Sequence, residues 1–242
     1  MNSLRAVCVG LLMLAPLSAS AQGSLSVTVT PPLFQLTIGP GETWSSTLKI
    51  VNNNTYDVEY YASPVDFKAE GEAGKGTFIP LINARETGSS TLGHWIQISS
   101  DAVRIARGTS GEIPFTVHIP ENAPPGGHYA AILVGTVPGE QNLNGPAMKI
   151  SSFVSSLLFV RIKGTVIEKA RIREFTSSRR IYETPKADFS LRFENQGNTH
   201  LKPTGEITLY NMWGKERGKV AINQKSNFGN VLPGSIRKFE FS

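Results

Sequence analysis

Four histidines, His94, His118, His128 and His200, and a lone cysteine, Cys8, are all that the chain offers as nitrogen and sulfur metal ligands. None of the histidines has a His or Cys neighbour at metal-ligand spacing, so no zinc site is expected. Serine is plentiful, but no Gly-x-Ser-x-Gly elbow is present, and Gly126-Gly127 lacks the strand-to-helix setting in which a glycine-rich loop cradles phosphate. Asp66, Glu70 and Glu72 are the nearest approach to a carboxylate cluster. Their spacing fits no calcium loop, and the Gly-rich surroundings read as a solvated hairpin. Asn53-Asn54-Thr55 is formally a glycosylation acceptor, meaningful only in a eukaryotic secretory route. No catalytic residue, metal or cofactor is expected, and the chain reads as a non-enzyme.

Aromatic rings are the remaining chemistry, because a ring face can stack on a sugar as well as fill a core. Trp44 is in phase with Leu48 and Ile50 and belongs to a core. Trp95, in the run from Gly93 to Ile98, is in phase with Gln97 rather than with Ile96 and Ile98, which makes it the candidate surface contact.

Strands must position these residues. Trp44, Ser46, Leu48 and Ile50 alternate, as do Val58, Tyr60 and Ala62, and again Ile113, Phe115, Val117 and Ile119. That period of two puts one face of each strand on a core and the other in water. Leu25, Val27 and Val29 make a first strand that Pro31-Pro32 must break or turn into another sheet, because proline has no ladder donor. Turn chemistry marks the gaps, at Pro40-Gly41 and Asn52-Asn53-Asn54. After Ile119-Pro120 and Pro124-Pro125-Gly126, Tyr129 opens a strand at the place of a tyrosine corner, whose hydroxyl would bond back to the loop backbone. A polar loop over residues 138–146 then leads into an extended run over 147–163, the last strand of a first sandwich.

The pattern restarts beyond Gly164. Leu48-Lys49-Ile50-Val51-Asn52 recurs as Leu191-Arg192-Phe193-Glu194-Asn195, and Arg107-Gly108-Thr109-Ser110-Gly111 is echoed by Leu232-Pro233-Gly234-Ser235. The expected fold is therefore all-β, with two tandem Ig-like β-sandwich domains over 22–163 and 164–242. In the second, Phe189, Leu191, Phe193, Ile207, Phe239 and Phe241 should line a core open on one side. Its strands stop at the counterpart of Ile119, so the expectation is either a fragment of a longer protein with a membrane anchor downstream or a partner strand that completes the sheet.

Residues 1–21 have the form of a cleaved signal peptide: Arg5, an apolar run over 6–17, and Ser18-Ala19-Ser20-Ala21. The apolar run is far short of the roughly 20 residues a membrane-spanning helix needs, and no other run is longer. Cleavage after Ala21 leaves a mature chain with no cysteine and 23 basic against 19 acidic side chains, a net charge of +4. Those charges are interspersed without an aromatic motif, so nucleic acid is not expected as a partner. An exported chain with no disulfide must rely on core burial.

Several of these segments resemble a known family. Phe34-Gln35-Leu36, Gly39-Pro40-Gly41-Glu42, residues 48–53, residues 95–99 and above all Ile119-Pro120 with residues 124–134 are similar to the N-terminal domain of bacterial WxL-interacting cell-surface proteins. The resemblance covers roughly residues 27–162. It implies a non-catalytic envelope protein that binds cell-wall polymer (peptidoglycan), a surface protein partner, or both. A second resemblance is to periplasmic pilus-assembly chaperones, exported two-domain Ig-like proteins that donate a strand to a pilin. Phe153, Ser155, Leu157, Phe159 and Arg161 alternate in that way, but residues 25–36 lack the early-strand arginine that the chaperone family uses with a late-strand lysine.

Overall fold

The computed structural model describes residues 26–81, 92–99, 101–136, 153–179, 181–182, 187–224 and 229–241. The signal segment and the polar loop after residue 136 lie outside them. Of the described residues 61% are strand and 3% helix, as the alternating pattern required.

Two sheets face each other in the first half of the chain. One carries, in order, β1 (Val27–Thr30), β3 (Thr43–Asn52), β8 (Ser110–His118) and β6 (Ile96–Ile98). The other carries β2 (Leu33–Ile38), β10 (Phe153–Ile162), β9 (Gly126–Gly135), β4 (Val58–Glu70) and β5 (Lys75–Ile79), with β7 (Val103–Ile105) paired to the start of β4. Between them lies one apolar layer that includes Leu48, Ile50, Tyr60, Val117, Ile132, Leu158 and Val160. Each fully buried aliphatic side chain there contributes about 1.5–3 kcal/mol relative to exposure. The first strand does change sheets at the prolines: β1 pairs with β3, whereas β2 runs parallel to β10. Neither proline needs to donate. The Pro31 carbonyl accepts from Ser156 Oγ at 2.7 Å and the Pro32 carbonyl from the Leu157 N–H at 2.9 Å.

The second half holds a sheet of β11 (Ala170–Ser177), β12 (Phe189–Asn195) and β15 (Ile236–Phe241), and a hairpin of β13 (Gly205–Tyr210) and β14 (Glu216–Ile222). Every strand pair joins partners on the same side of Gly164. Among the six apolar residues expected to line an open core, only Leu191 is buried; Phe189, Phe193, Ile207, Phe239 and Phe241 are partly exposed.

The repeat is carried by hydrogen bonds. Asn52 Nδ2 donates to the carbonyls of Tyr56 and Ile105, and its Oδ1 accepts the Asn54 N–H. Asn195 Nδ2 donates to the carbonyls of Thr199 and Val231, and its Oδ1 accepts the Gly197 N–H. The Asn52 N–H reaches the Thr109 carbonyl and its own carbonyl accepts from Gly108; Asn195 does the same with Ser235 and Gly234. Gly108 and Gly234 have φ of 67° and 68°, a left-handed turn that favours glycine. The Val58–Ile105 strand pair has its equal in the Leu201–Val231 bridge.

Candidate functional site: the open half of β10 and the cleft beside it

β10 is partnered unevenly. Along its full length it pairs with β9, but β2 accompanies it only over residues 157–162. Among the described residues no strand is paired with 153–156 on that edge, where the chain entering β2 is bonded to β10 only through the Ser156 hydroxyl on the Pro31 carbonyl. The two faces of β10 also differ. Leu158, Val160 and Ile162 enter the sandwich core, with Val154 at its margin. Phe153, Leu157 and Phe159 point the other way, onto a surface shared with Phe67, Phe78 and Tyr129. Phe153 is 49% exposed and is held edge-on by Phe78 at 5.9 Å.

That surface forms one wall of a cleft between the domains. Phe67, Leu157 and Phe159 face Val231, Leu232 and Arg237 of the second domain. The cavity is about 90 Å³, room for a few waters and well below the roughly 300 Å³ of a small-ligand site. What the site can offer is an apolar surface and a strand edge.

At the foot of β10 sits a polar group that the sequence did not assemble. Arg161 pairs with Glu168, and its Nε donates to Thr199 Oγ1 at 3.2 Å. His200 packs on Phe159 with ring centroids 5.2 Å apart, and its Nδ1 lies 3.5 Å from the Tyr129 hydroxyl. Burial, reinforced by the Arg161 charge, pushes the His200 pKa down to about 4. Burial likewise raises the Tyr129 phenol well above its usual range. The Tyr129 hydroxyl, expected to turn back onto the loop, lies over Gly127 of that loop and also reaches His200. A Cβ on Gly127 would come within 1.9 Å of that oxygen.

The second domain is held by further contacts around this cleft. Arg192 pairs with Glu72 on the β4–β5 turn, and the Lys238 N–H donates to the Glu72 carbonyl. On the other side the Gly127 N–H donates to the Asn198 carbonyl at 2.7 Å.

The remaining sequence candidates separate. Asp66 is not in a solvated hairpin: it is a fully buried residue of β4 whose Oδ1 accepts the Gly93 N–H at 2.8 Å. Glu70 receives the Thr77 hydroxyl, and Glu72 belongs to the domain junction. Trp95 ends a single helical turn, α1 (Leu92–Trp95). Its indole is partly buried against the first-domain core and lies 4.8 Å from the His128 ring, so only part of it is open to a contact. His128 is buried and bonded to the Pro124 carbonyl, whereas His118 bridges Thr43 and Gln97 at the surface. Among the described residues no group of His, Cys, Asp and Glu could hold a metal ion, and no helix is long and apolar enough to cross a membrane.

No family model matches the chain and no curated protein matches it, so the likeness to WxL-interacting proteins finds no support there. Solved structures do. The class 5 fimbriae chaperone CfaA is 12% identical over 88% of this chain and 84% of its own, with a TM-score of 0.47. The CsuC–CsuE chaperone and tip subunit pre-assembly complex of Acinetobacter baumannii Csu pili is 14% identical over 90% and 88%, at 0.44. A PapD-like domain of human CEP192 is 18% identical over 68% and 99%, at 0.37.

Proposed function

We propose that the protein is a non-catalytic, exported chaperone of the pilus-assembly type, which binds another exported protein by lending it the free edge of β10. The observation that carries this reading is the stretch 153–156, which has no paired strand on one edge among the described residues, backed by a side-chain row of Phe153, Leu157 and Phe159 whose last two members line the cleft. A subunit with a strand missing from its own sandwich has an apolar groove and unpaired backbone groups, and an added strand satisfies both. Arg161, on the same row at the foot of the strand, supplies a cation for an acidic group of the partner, with Glu168 holding its place until then. Thr37, not arginine, stands opposite it on β2, so the two-cation arrangement of the chaperone family is reduced to one.

The test is to mix the mature chain with a pilus subunit that lacks its completing strand. A soluble equimolar complex should form, and the amides of residues 153–156 should exchange with deuterium more slowly within it. Aggregation of the subunit at its unassisted rate, with exchange unchanged, would overturn the reading. Sedimentation of the chain with purified peptidoglycan, above a control sandwich protein, would favour wall binding instead.

A further inference from the structure

The turn that joins β13 to β14 carries three large apolar side chains within four residues, and all three stand in solvent. Tyr210, Met212 and Trp213 are 64%, 87% and 80% exposed. Single exposed apolar residues are ordinary on a protein surface, but a cluster of them marks a contact. The turn that presents them is preformed. The Asn211 N–H donates to the Lys215 carbonyl at 2.9 Å, and Asn211 Oδ1 accepts the N–H groups of Trp213 at 3.1 Å and Lys215 at 2.9 Å. Gly214 closes the turn with φ of 72°, and a Cβ there would meet nothing within 4 Å, so the tip projects clear of the rest of the described chain. Charge follows directly behind the rings. Lys215, Arg217 and Lys219 stand against a single carboxylate, Glu216. Lys219 is held by Glu206 at 2.9 Å, whereas among the described residues no ion pair holds Lys215 or Arg217. The ladder passes from Leu209 opposite Gly218 to Tyr210 opposite Glu216 and leaves Arg217 unopposed in a bulge.

We infer that this tip is a contact with an anionic lipid surface, in which Trp213, Met212 and Tyr210 enter the headgroup region and Lys215 and Arg217 pair with lipid phosphates. Indole and phenol rings settle at headgroup depth, with an apolar body toward the acyl chains and a polar edge toward water. Cations just behind them keep their heads among the phosphates while their stems lie along the apolar layer. The shape favours lipid over a protein partner. A specific protein interface takes about 800 Å² from each side. Here the apolar part is a single convex turn that stops at exposed Lys215, Glu216 and Arg217, and a bilayer needs no matching groove to receive it. The contact lies in the other domain from β10 and does not rest on the function proposed for that strand.

The test is flotation of the protein with phosphatidylcholine vesicles, with and without about a quarter of phosphatidylglycerol, at low salt. The protein should float with the anionic vesicles at least tenfold more than with the neutral ones, and bromine on the acyl chains should quench tryptophan fluorescence in the bound protein. Met212→Ser with Trp213→Ser should cut flotation at least tenfold and remove the quenching. Lys215→Gln with Arg217→Gln should cut flotation on anionic vesicles at least tenfold. All four side chains are exposed, so both variants should melt with the parent, and a loss of flotation then reads the contact and not the fold. No flotation with anionic vesicles, equal flotation with neutral ones, or flotation unchanged by either pair of substitutions overturns the inference. Weaker capture of a strand-deficient pilus subunit by the Met212 and Trp213 variant, with no flotation of the parent, would give the tip to a protein partner and would equally overturn it.

Discussion

Arg192 on β12 grips Glu72 on the β4–β5 turn with two nitrogens, Nε to Oε2 at 2.7 Å and Nη2 to Oε1, and so ties a strand of one domain to a hairpin of the other. Forked guanidinium–carboxylate pairs fix direction as well as distance. The same guanidinium also holds Glu174 at 3.0 Å.

The hydrogen bond from Arg192 holds the Glu72 carboxyl below its ordinary value of 4.5. A carboxylate whose pKa is lowered by folding stabilises above its unfolded pKa, and that contribution disappears as the pH falls through the folded value. Domain orientation, followed by small-angle scattering, should therefore loosen below pH 4.5. Arg192→Met should loosen it at neutral pH and abolish the acid step.

His200 adds a second acid response with a different window. Its folded pKa of about 4 lies below the ordinary 6.5, so the unfolded chain takes up the proton first as the pH falls. Stability is full above 6.5 and declines toward pH 4, by about 3 kcal/mol if the whole shift is expressed. Histidine NMR titration should find the His200 ring neutral at pH 5.5, and His200→Gln should flatten the stability profile between pH 6.5 and 4.

Asn52 and Asn195 should be costly to replace. Alanine at either position leaves at least two carbonyls and one N–H without their side-chain partner, for a loss on the order of 3 kcal/mol. Urea unfolding of Asn52→Ala and Asn195→Ala should show losses of similar size, each in a different domain. A loss under about 1 kcal/mol at both would mean that the shared network is incidental.

Gly127 and Tyr129 should be coupled. Gly127→Ala drives a methyl group into the tyrosine oxygen, and it also crowds the Thr199 backbone at 3.2 Å. Tyr129→Phe alone should cost about 1 kcal/mol, and in the double variant it should relieve part of the Gly127→Ala penalty. A double-mutant cycle with coupling below about 0.5 kcal/mol would contradict this geometry.

Phe153 is half exposed, so Phe153→Asp should leave the melting temperature within about 2 °C of the parent. The same change should weaken capture of a strand-deficient subunit at least tenfold. Unchanged capture would exclude this face of β10 as the donor.

Much of the sandwich could be read from spacing, because β3 and β8 each bury one face and the alternation records it. The sheet change at Pro31-Pro32 was legible for a similar reason, since the missing N–H leaves few other places for it. The echo of Asn52 at Asn195 was visible as letters, but its meaning lay in carbonyls supplied from residues 105 and 231. The phase counted at Trp95 assumed a strand, whereas the residue closes a helical turn before β6 begins. Asp66 misled because its neighbours are polar, whereas its position inside β4 depends on pairing with β9 and β5. The junction of Tyr129, Arg161 and His200 joins residues whose proximity only the folded chain creates.

The parallel pairing of β2 with β10 has a consequence in time. Pro31 and Ser156, bonded at the start of that pair, are 125 positions apart. A ribosome delivers β2 early and must add nearly the whole domain before its partner exists, and such distant pairings close slowly. Until then β2 waits with an unoccupied ladder, and β10, once it arrives, seals the domain along one part of its length while its opening residues stay unclaimed. The last strand to be made is thus both the latch of its own domain and the part with pairing capacity left over.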